Sequence, residues 1–331
     1  MKGISTGIFA IASVLFAVSC GDDETKYPAM GSDGGPCYSN GSCDDDLTCI
    51  IDTCFDFNKS DDTEECPDGY HWDDVTRQCE QDTIDPPEMV DVPAGEFQMG
   101  CNPAVGECGS DEKPYHAVTL SAYKIGKYEV AAGEYQECVT NGACNNSNKN
   151  EPHYYTSTDH SPCNLGAIGK DGHPMQCVTW YGAKAYCEWI GGRLPTEAEW
   201  EKAARGTDGR KYPWGNEKAT CDYAVMDDGG AGGEGCGTGG TMPIGSKEAG
   251  KSPYGAYNMA GNVWEWVNDR YDGTYYETSP ANNPAGPETG DGRVLRGGSW
   301  GNASGGNLSA SNRDYITPGD ASTSRGFRCA K

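Results

Sequence analysis

The segment "RLPTEAEWEKAARG", residues 193–206, is the clearest local signal for the fold. Thr196 is followed three residues later by Glu199, which is the spacing of a capping box. In such a box each side chain satisfies a backbone N–H group at the start of a helix. Pro195 precedes the box, and Gly206 stands where a helix would end. The segment therefore predicts a short helix that starts after Thr196, although a capping box by itself indicates no function.

The neighbouring segments predict further short elements. Residues 89–100, "MVDVPAGEFQMG", alternate in polarity like strands around a "PAG" turn, and "HAVTLSAYKIGKYEV" at 116–130 predicts a second pair of strands. Residues 178–190, "VTWYGAKAYCEWI", carry apolar residues at helical spacing. In "RVLRGGSW", 293–300, a strand runs into a tight Gly-Gly turn. With 47 glycines and 36% hydrophobic residues, the chain favours a turn-rich fold over a helical bundle.

The first residues have the pattern of an export signal. Lys2 precedes an apolar stretch from Ile8 to Val18, and small residues lead to Cys20. We expect residues 1–19 to be a signal peptide and Cys20 to carry a lipid, so that residues 20–36 form a lipidated tether. The alternative is an ordinary cleaved signal peptide. The lipoprotein interpretation places the protein in a bacterial cell envelope, anchored in the membrane, in the periplasm or at the outer-membrane surface.

The next region is rich in cysteine and acidic residues. Without Cys20, 16 of the 17 cysteines remain, which in an exported chain indicates disulfides. Residues 37–80 have too few apolar residues for a core and are predicted to be a disulfide-rich module, followed by a linker at 81–88. Between Gly21 and Glu88 there are 20 acidic and 3 basic residues, so most of the net charge of −25 lies there. Such a surface repels phosphates, and no nucleic-acid partner is expected.

Seven segments, taken in order, resemble the sulfatase-modifying-factor family, the formylglycine-generating enzymes and their relatives. They are "VPAGEFQMG", "YKIGKYEV", "VTWYGAKAYCEWIGGRLPTEAEWEKAARG", "YPWGN", "YGAYNMAGNVWEWVND", "VLRGGSW" and "RGFRC". The resemblance covers residues 89–331, and "RLPTEAEWE" followed by "GNVWEW" and "GFRC" is very specific. It implies an α+β domain with the irregular fold of a C-type lectin.

In the enzymes of this family the loop after "GGSW" carries two cysteines, which hold copper and activate oxygen to convert a sulfatase cysteine into formylglycine. Asn302 stands at the first of these positions and Asn307 at about the second, in a loop about two residues shorter than the family's. The only cysteine after Cys236 is Cys329, so this loop contains none. Soft thiolate ligands hold Cu(I) and an amide cannot replace them, so neither copper nor formylglycine-generating activity is expected.

The resemblance also implies two structural features. Cys187 and Cys329 match a disulfide of the family, whereas Ala204 stands at one end of a second family disulfide that is absent here. The segment "NMAGNVWEW" matches a structural calcium site, with side-chain oxygens from Asn258 and Glu265 and backbone carbonyls from Gly261 and Val263. Asp222 and the Tyr223 carbonyl match part of a second calcium site. The alternative is that Asn258 and Glu265 only brace a turn.

Other cysteines suggest local pairs, although sequence alone does not settle their connectivity. These pairs are Cys101–Cys108, Cys138–Cys144, Cys163–Cys177 and Cys221–Cys236. The five histidines show no metal-binding spacing, and no GxSxG, Walker or dinucleotide motif is present.

Three functions remain open. The first is a non-catalytic binding or structural module that holds a peptide or glycan in a groove at Trp300, Asn302, Asn307 and Arg313. The second is an oxidoreductase that acts on another substrate without the copper cysteines, as in relatives from pyoverdine maturation, with Asp314 or Tyr315 as candidate groups. The third is a tether or assembly factor whose cysteine-rich module binds the partner.

Overall fold

A computed structural model describes residues 87–145, 153–155, 163–230, 233–290, 292–303 and 305–331, together with the backbone of four short strands nearer the N-terminus. The chain divides into two compact units, Met1–Asp85 and Pro86–Lys331. In the first unit, β1 (Thr48–Ile50) pairs antiparallel with β2 (Thr53–Phe55), and β3 (Tyr70–Asp73) pairs with β4 (Gln78–Gln81). The predicted leader, the lipid site at Cys20 and the disulfides of the cysteine-rich module lie outside the described residues.

The second unit begins with four strands at the predicted places. They are β5 (Met89–Val92), β6 (Gly95–Met99), β7 (His116–Leu120) and β8 (Tyr123–Gly126). The pairing is nested, because β5 pairs with β8 and β6 pairs with β7, both antiparallel. The sequence suggested that consecutive strands pair, β5 with β6 and β7 with β8. The structure corrects this expectation. Apolar residues from these strands, among them Phe97, Val118 and Ile125, pack into one buried cluster.

A four-stranded sheet forms the centre of the second unit. Its strand order is β11 (Asp314–Ile316), β10 (Arg293–Arg296), β9 (Trp264–Arg270) and β12 (Arg325–Phe327). β10 is antiparallel to both of its neighbours, whereas β12 runs parallel to β9. Trp266 of β9 is fully buried and belongs to the cluster that also contains Phe327 of β12.

Three α-helices surround this sheet: α1 (Ala132–Thr140), α2 (Trp180–Trp189) and α3 (Glu197–Arg205). Three short 3₁₀ helices occupy Glu234–Gly237, Glu248–Gly250 and Tyr275–Glu277. The capping box of α3 is confirmed, since the Glu199 N–H donates to Thr196 Oγ1 at 3.2 Å and the Thr196 N–H donates to Glu199 Oε2 at 2.8 Å. Gly206 follows α3 with a φ of 69°, a conformation that favours glycine.

Disulfides join distant and local parts of this unit. The Cys187–Cys329 bond, implied by the family resemblance, closes a separation of 142 residues between α2 and the C-terminus. The four predicted local pairs, Cys101–Cys108, Cys138–Cys144, Cys163–Cys177 and Cys221–Cys236, are confirmed as well. Among the described residues, no helix has the length and apolar character needed to cross a bilayer.

Candidate functional site

The loop that follows β10 starts at a turn that only glycine accommodates. Gly297 and Gly298 have φ values of 93° and 75°, a region that other residues adopt at a cost. A Cβ atom on Gly298 would lie 2.7 Å from the Leu308 side chain and 2.9 Å from the Asn307 carbonyl oxygen. The turn therefore packs directly against the far end of the loop that it opens.

Asn302, at the position of the family's first catalytic cysteine, closes this loop. Its Oδ1 atom accepts hydrogen bonds from the Ser299 N–H at 2.8 Å and from the Ser299 hydroxyl at 3.1 Å. The Asn302 N–H in turn donates to the Ser299 carbonyl at 3.0 Å. The amide that replaces the thiol thus has a structural role in the turn.

Arg313 does not form the exposed end of a groove, which corrects the expectation from sequence. It is 6% exposed, and its Nε and Nη2 atoms donate to the two carboxylate oxygens of Glu197 at 2.7 and 3.0 Å. Its guanidinium also lies 4.3 Å from the centre of the Tyr276 ring. A buried guanidinium needs such partners, and the acidic helix α3 provides them. Asn307 is half-buried and is not among the described residues that line the pocket at Trp300.

Trp300 does line a pocket, with a cavity volume of about 270 Å³. Its indole Nε1 donates to the Thr323 carbonyl at 2.9 Å, and its own N–H donates to the Asn262 carbonyl at 2.9 Å. The first bond orients the ring, and the second holds the backbone of Trp300 in place. The described lining residues are Cys163, Asn164, Ala167, Lys170, Gln176, Thr238, Gly239, Gly240, Thr241, Trp300 and Thr323.

The residues considered for other chemistry lie on β11, outside this pocket. Asp314 and Tyr315 are exposed, and the Tyr315 ring stacks on Tyr271 with 3.9 Å between ring centres. The Tyr271 hydroxyl donates to Asp111 at 2.9 Å. Neither Asp314 nor Tyr315 is among the described residues that line the Trp300 pocket.

A buried cluster of oxygen atoms lies where the first calcium site is implied. Glu129 is fully buried and accepts hydrogen bonds from Asn258 Nδ2 and Asn262 Nδ2, both at 2.9 Å. Burial raises the pKa of the Glu129 carboxyl to about 8. The Asn258 Oδ1 atom is buried and has no hydrogen-bond partner among the described residues. A carboxylate and an unpartnered amide oxygen are the kinds of donor that calcium prefers.

Glu265 contributes less to this cluster than the sequence suggests. Its carboxylate accepts from Arg328 Nη2 at 2.6 Å and Arg328 Nε at 2.7 Å, and from Trp200 Nε1 at 2.7 Å. Burial raises the pKa of Glu129 to about 8, and a bound cation would favour its deprotonated form. Glu129 and Glu265 would then carry two negative charges against the single charge of Arg328. Sequence reasoning missed Glu129, although an acidic residue amid the apolar flanks of "YEVAA" was a signal for it.

The second implied calcium site does not fit the residues present. Asp222 is exposed, and the ammonium of Lys247 donates to the Cys221 carbonyl at 2.6 Å, beside it. The Tyr223 carbonyl packs against Gly250, where a Cβ atom would lie only 1.8 Å from the oxygen. A lysine ammonium and a closely packed backbone thus occupy the surroundings in which a cation would need further oxygen ligands.

The sequence profile described as "Sulfatase-modifying factor enzyme 1-like domain" matches residues 75–331. The chain belongs to the sulfatase-modifying-factor family. The formylglycine-generating enzyme of Thermomonospora curvata is 32% identical over 288 residues, which cover 73% of this chain and 92% of that protein. The solved structure of PvdO from Pseudomonas aeruginosa matches with a TM-score of 0.61 and 29% identity, covering 75% of this chain and 95% of that one.

A further relative has a different arrangement. The serine/threonine-protein kinase Pkn1 of Chlamydia trachomatis is 36% identical over 255 residues, which cover 74% of this chain and 38% of the kinase. The chain thus spans about two fifths of the length of that relative. The enzymatic names of these relatives describe those proteins.

Proposed function

We propose that this chain is a lipid-anchored binding protein of the bacterial cell envelope, whose sulfatase-modifying-factor domain holds a peptide or glycan without changing it chemically. The loop after β10 carries this proposal. Asn302 closes the turn by accepting a hydrogen bond from Ser299. The only cysteine after Cys236 is Cys329, which is bonded to Cys187. No thiolate pair is therefore available for copper, while the Trp300 pocket remains. The lipid at Cys20 places this pocket outside the cytoplasm.

We expect no formylglycine product when the protein is incubated with a sulfatase-type cysteine peptide, Cu(I) and oxygen. The physical reason is that amide groups neither bind Cu(I) tightly nor cycle between thiol and disulfide. The measurement is the mass of the peptide, with the Thermomonospora curvata enzyme assayed in parallel as the positive control. Product formed by the unaltered protein would contradict the binding function and require an oxidation without thiols.

The double variant Asn302→Cys/Asn307→Cys should stay inactive in the same assay. The Asn302 amide holds the turn through two hydrogen bonds to Ser299, and the loop is shorter than that of the enzymes. An error of about 1 Å in a catalytic site costs roughly a hundredfold in rate. Activity regained with two cysteines alone would show that the scaffold still positions a catalytic pair.

The domain also needs a structural ion in this proposal, with calcium held by Glu129, Asn258 and Glu265. In its support, Glu129 is a fully buried carboxylate, and Asn258 Oδ1 has no partner among the described residues. The ion would tie Glu129, in the segment between β8 and α1, to Asn258 before β9 and to Glu265 in β9. It would serve stability and not chemistry, because Glu129, Asn258 and Glu265 are buried and are not among the described residues that line the Trp300 pocket.

Chelation of calcium should lower the melting temperature of the wild-type protein. A ligand at a hundredfold excess over its Kd stabilises the folded state by about 2.7 kcal/mol. In Glu129→Gln the melting temperature should be the same with and without calcium, since a neutral amide attracts the ion less. Glu134→Gln is the matched control, because Glu134 is also a carboxyl with a burial-raised pKa but bonds to the Ala131 N–H. A wild-type protein indifferent to chelation would remove calcium from the proposal.

A further inference from the structure

The Trp300 pocket has one wall made of linked polar side chains. Thr241 Oγ1 accepts a hydrogen bond from Asn164 Nδ2 at 3.1 Å and contacts His173 Nδ1 at 3.0 Å. The other ring nitrogen of His173 lies 3.5 Å from Lys170 Nζ. Asn164 is itself held by the Pro174 carbonyl, to which its Nδ2 atom donates at 2.8 Å. The four side chains therefore form a connected chain from the buried end of the pocket to Lys170.

The direction of these hydrogen bonds leaves donors facing the cavity. A lysine ammonium can only donate, so the His173 nitrogen beside it accepts and the other ring nitrogen carries the proton. In this tautomer the proton lies on Nδ1, 3.0 Å from Thr241 Oγ1, which then accepts two hydrogen bonds. Among the described residues no acceptor takes the proton of the Thr241 hydroxyl itself. This hydroxyl and the remaining ammonium protons of Lys170 are left for a group that accepts hydrogen bonds.

The charge of the pocket also favours a ligand group that accepts hydrogen bonds. Lys170 is the only ionised side chain among its described lining residues, since Cys163 is in a disulfide and the others are neutral. A single cation in this pocket therefore selects an anion with acceptor oxygens, and charge-assisted hydrogen bonds are stronger than neutral ones.

The size and the opposite wall restrict the ligand further. A cavity of about 270 Å³ lies at the small end of ligand pockets, so it admits one compact group. Trp300 provides a fixed aromatic wall for that group. Ala167 is the only aliphatic side chain among the described lining residues, so an apolar peptide side chain would find little to pack against.

We propose that this pocket binds the uronic-acid residue of an acidic glycan, with the carboxylate at Lys170 and Thr241 and the sugar ring against Trp300. This inference rests on the proposed binding function and specifies its ligand. The hydroxyl group of Thr323 lies on the same lining surface and suits a sugar hydroxyl.

The test is calorimetric titration of the full-length protein with trigalacturonate and with its fully methyl-esterified form, which has the same shape and no charge. The wild type should bind the acid form at least about tenfold more tightly, as expected for hydrogen bonds to a charged group. Lys170→Gln and Thr241→Val should each reduce this preference, while Trp300→Ala should weaken the binding of both forms. Lys184→Gln is the matched control, because Lys184 is an exposed lysine paired with Glu188 on α2.

Each possible outcome either supports or overturns the proposed uronic-acid site. Equal binding of both forms by the wild type would overturn the carboxylate site and leave the binding function intact. No binding of either form would overturn the glycan assignment. Lys170-dependent binding of a peptide with a free C-terminal carboxylate, but not of the sugar, would assign the pocket to peptide termini. The proposed function itself fails separately, through a product in the formylglycine assay. Unchanged melting temperatures ensure that the variants are folded.

Discussion

Replacing Arg296 with methionine should lower the free energy of unfolding by about 3–5 kcal/mol. Arg296 is fully buried, and its Nη2 atom donates to Glu201 Oε2 at 2.6 Å and to the Ala310 carbonyl at 2.6 Å. Its Nη1 atom donates to the carbonyls of Ser311 and Asn312 at 3.0 and 2.6 Å. Methionine fills a similar volume but satisfies none of these acceptors. The carboxylate of Glu201 would then keep one arginine partner, Arg205.

The measurement is urea unfolding followed by tryptophan fluorescence, with the free energy extrapolated linearly to water. Arg210→Met is the matched control, since Arg210 pairs with Asp208 near the surface, where ion pairs contribute about 0–1 kcal/mol. Equal losses in the two variants would show that burial of the Arg296 network adds nothing. The carbonyl groups that Arg296 binds belong to Ala310, Ser311 and Asn312, near the end of the loop after β10. Amide hydrogen exchange in residues 308–312 should therefore also increase in Arg296→Met.

Removing the Cys187–Cys329 disulfide by replacing both cysteines with alanine should cost about 5 kcal/mol. In the chain-entropy model the effect grows with the length of the closed loop, and this pair is 142 residues apart. The bond also fixes the C-terminal strand against helix α2, so the parallel pairing of β12 with β9 should weaken with it. Unfolding in urea under oxidising conditions measures the loss.

Cys138–Cys144 provides the matched control for this prediction. Its two cysteines are only 6 residues apart, and all four sulfur-bearing residues are nearly inaccessible to solvent. Replacing this second pair with alanine removes a similar buried volume but should cost only about 2 kcal/mol on the entropic account. A loss as large as that of the long-range pair would show that packing, and not chain entropy, dominates both disulfides.

Features that depend on a few consecutive residues were predictable from sequence. The capping box at Thr196 and Glu199 closes within one turn of helix, and the glycine turn at Gly297 follows directly from the strand before it. The family motifs predicted the Cys187–Cys329 bond, and short spacing suggested the local disulfides. Helix α1 was missed because Ala131 at its start has no side-chain cap, and Glu134 alone reaches back to the Ala131 N–H at 2.7 Å.

The lining of the Trp300 pocket was only partly predictable, because the candidate residues were selected for lying close together in the sequence of the loop after β10. Trp300, which was expected to form the wall of a groove, lines a pocket, but Lys170 and Thr241 were not connected with it. Arg313 looked like an exposed charge, since nothing near it in sequence pairs with it. Its partner Glu197 is 116 residues earlier in the chain.

The sequence by itself determined the family, the places of strands β5 to β8 and β10, helices α2 and α3, and the lack of cysteines in the loop after Trp300. These features depend on residue identity or on local hydrogen bonds. Only the tertiary structure decided which charges are buried. Helix α3 reads as polar, yet Glu197 and Glu201 are at most 1% exposed, because Arg313 and Arg296 reach them from the C-terminal sheet. The contact between Glu129 and Asn258 likewise spans 129 residues. A buried charge is tolerated only beside its partner, and no local pattern states which partner the fold will bring to it.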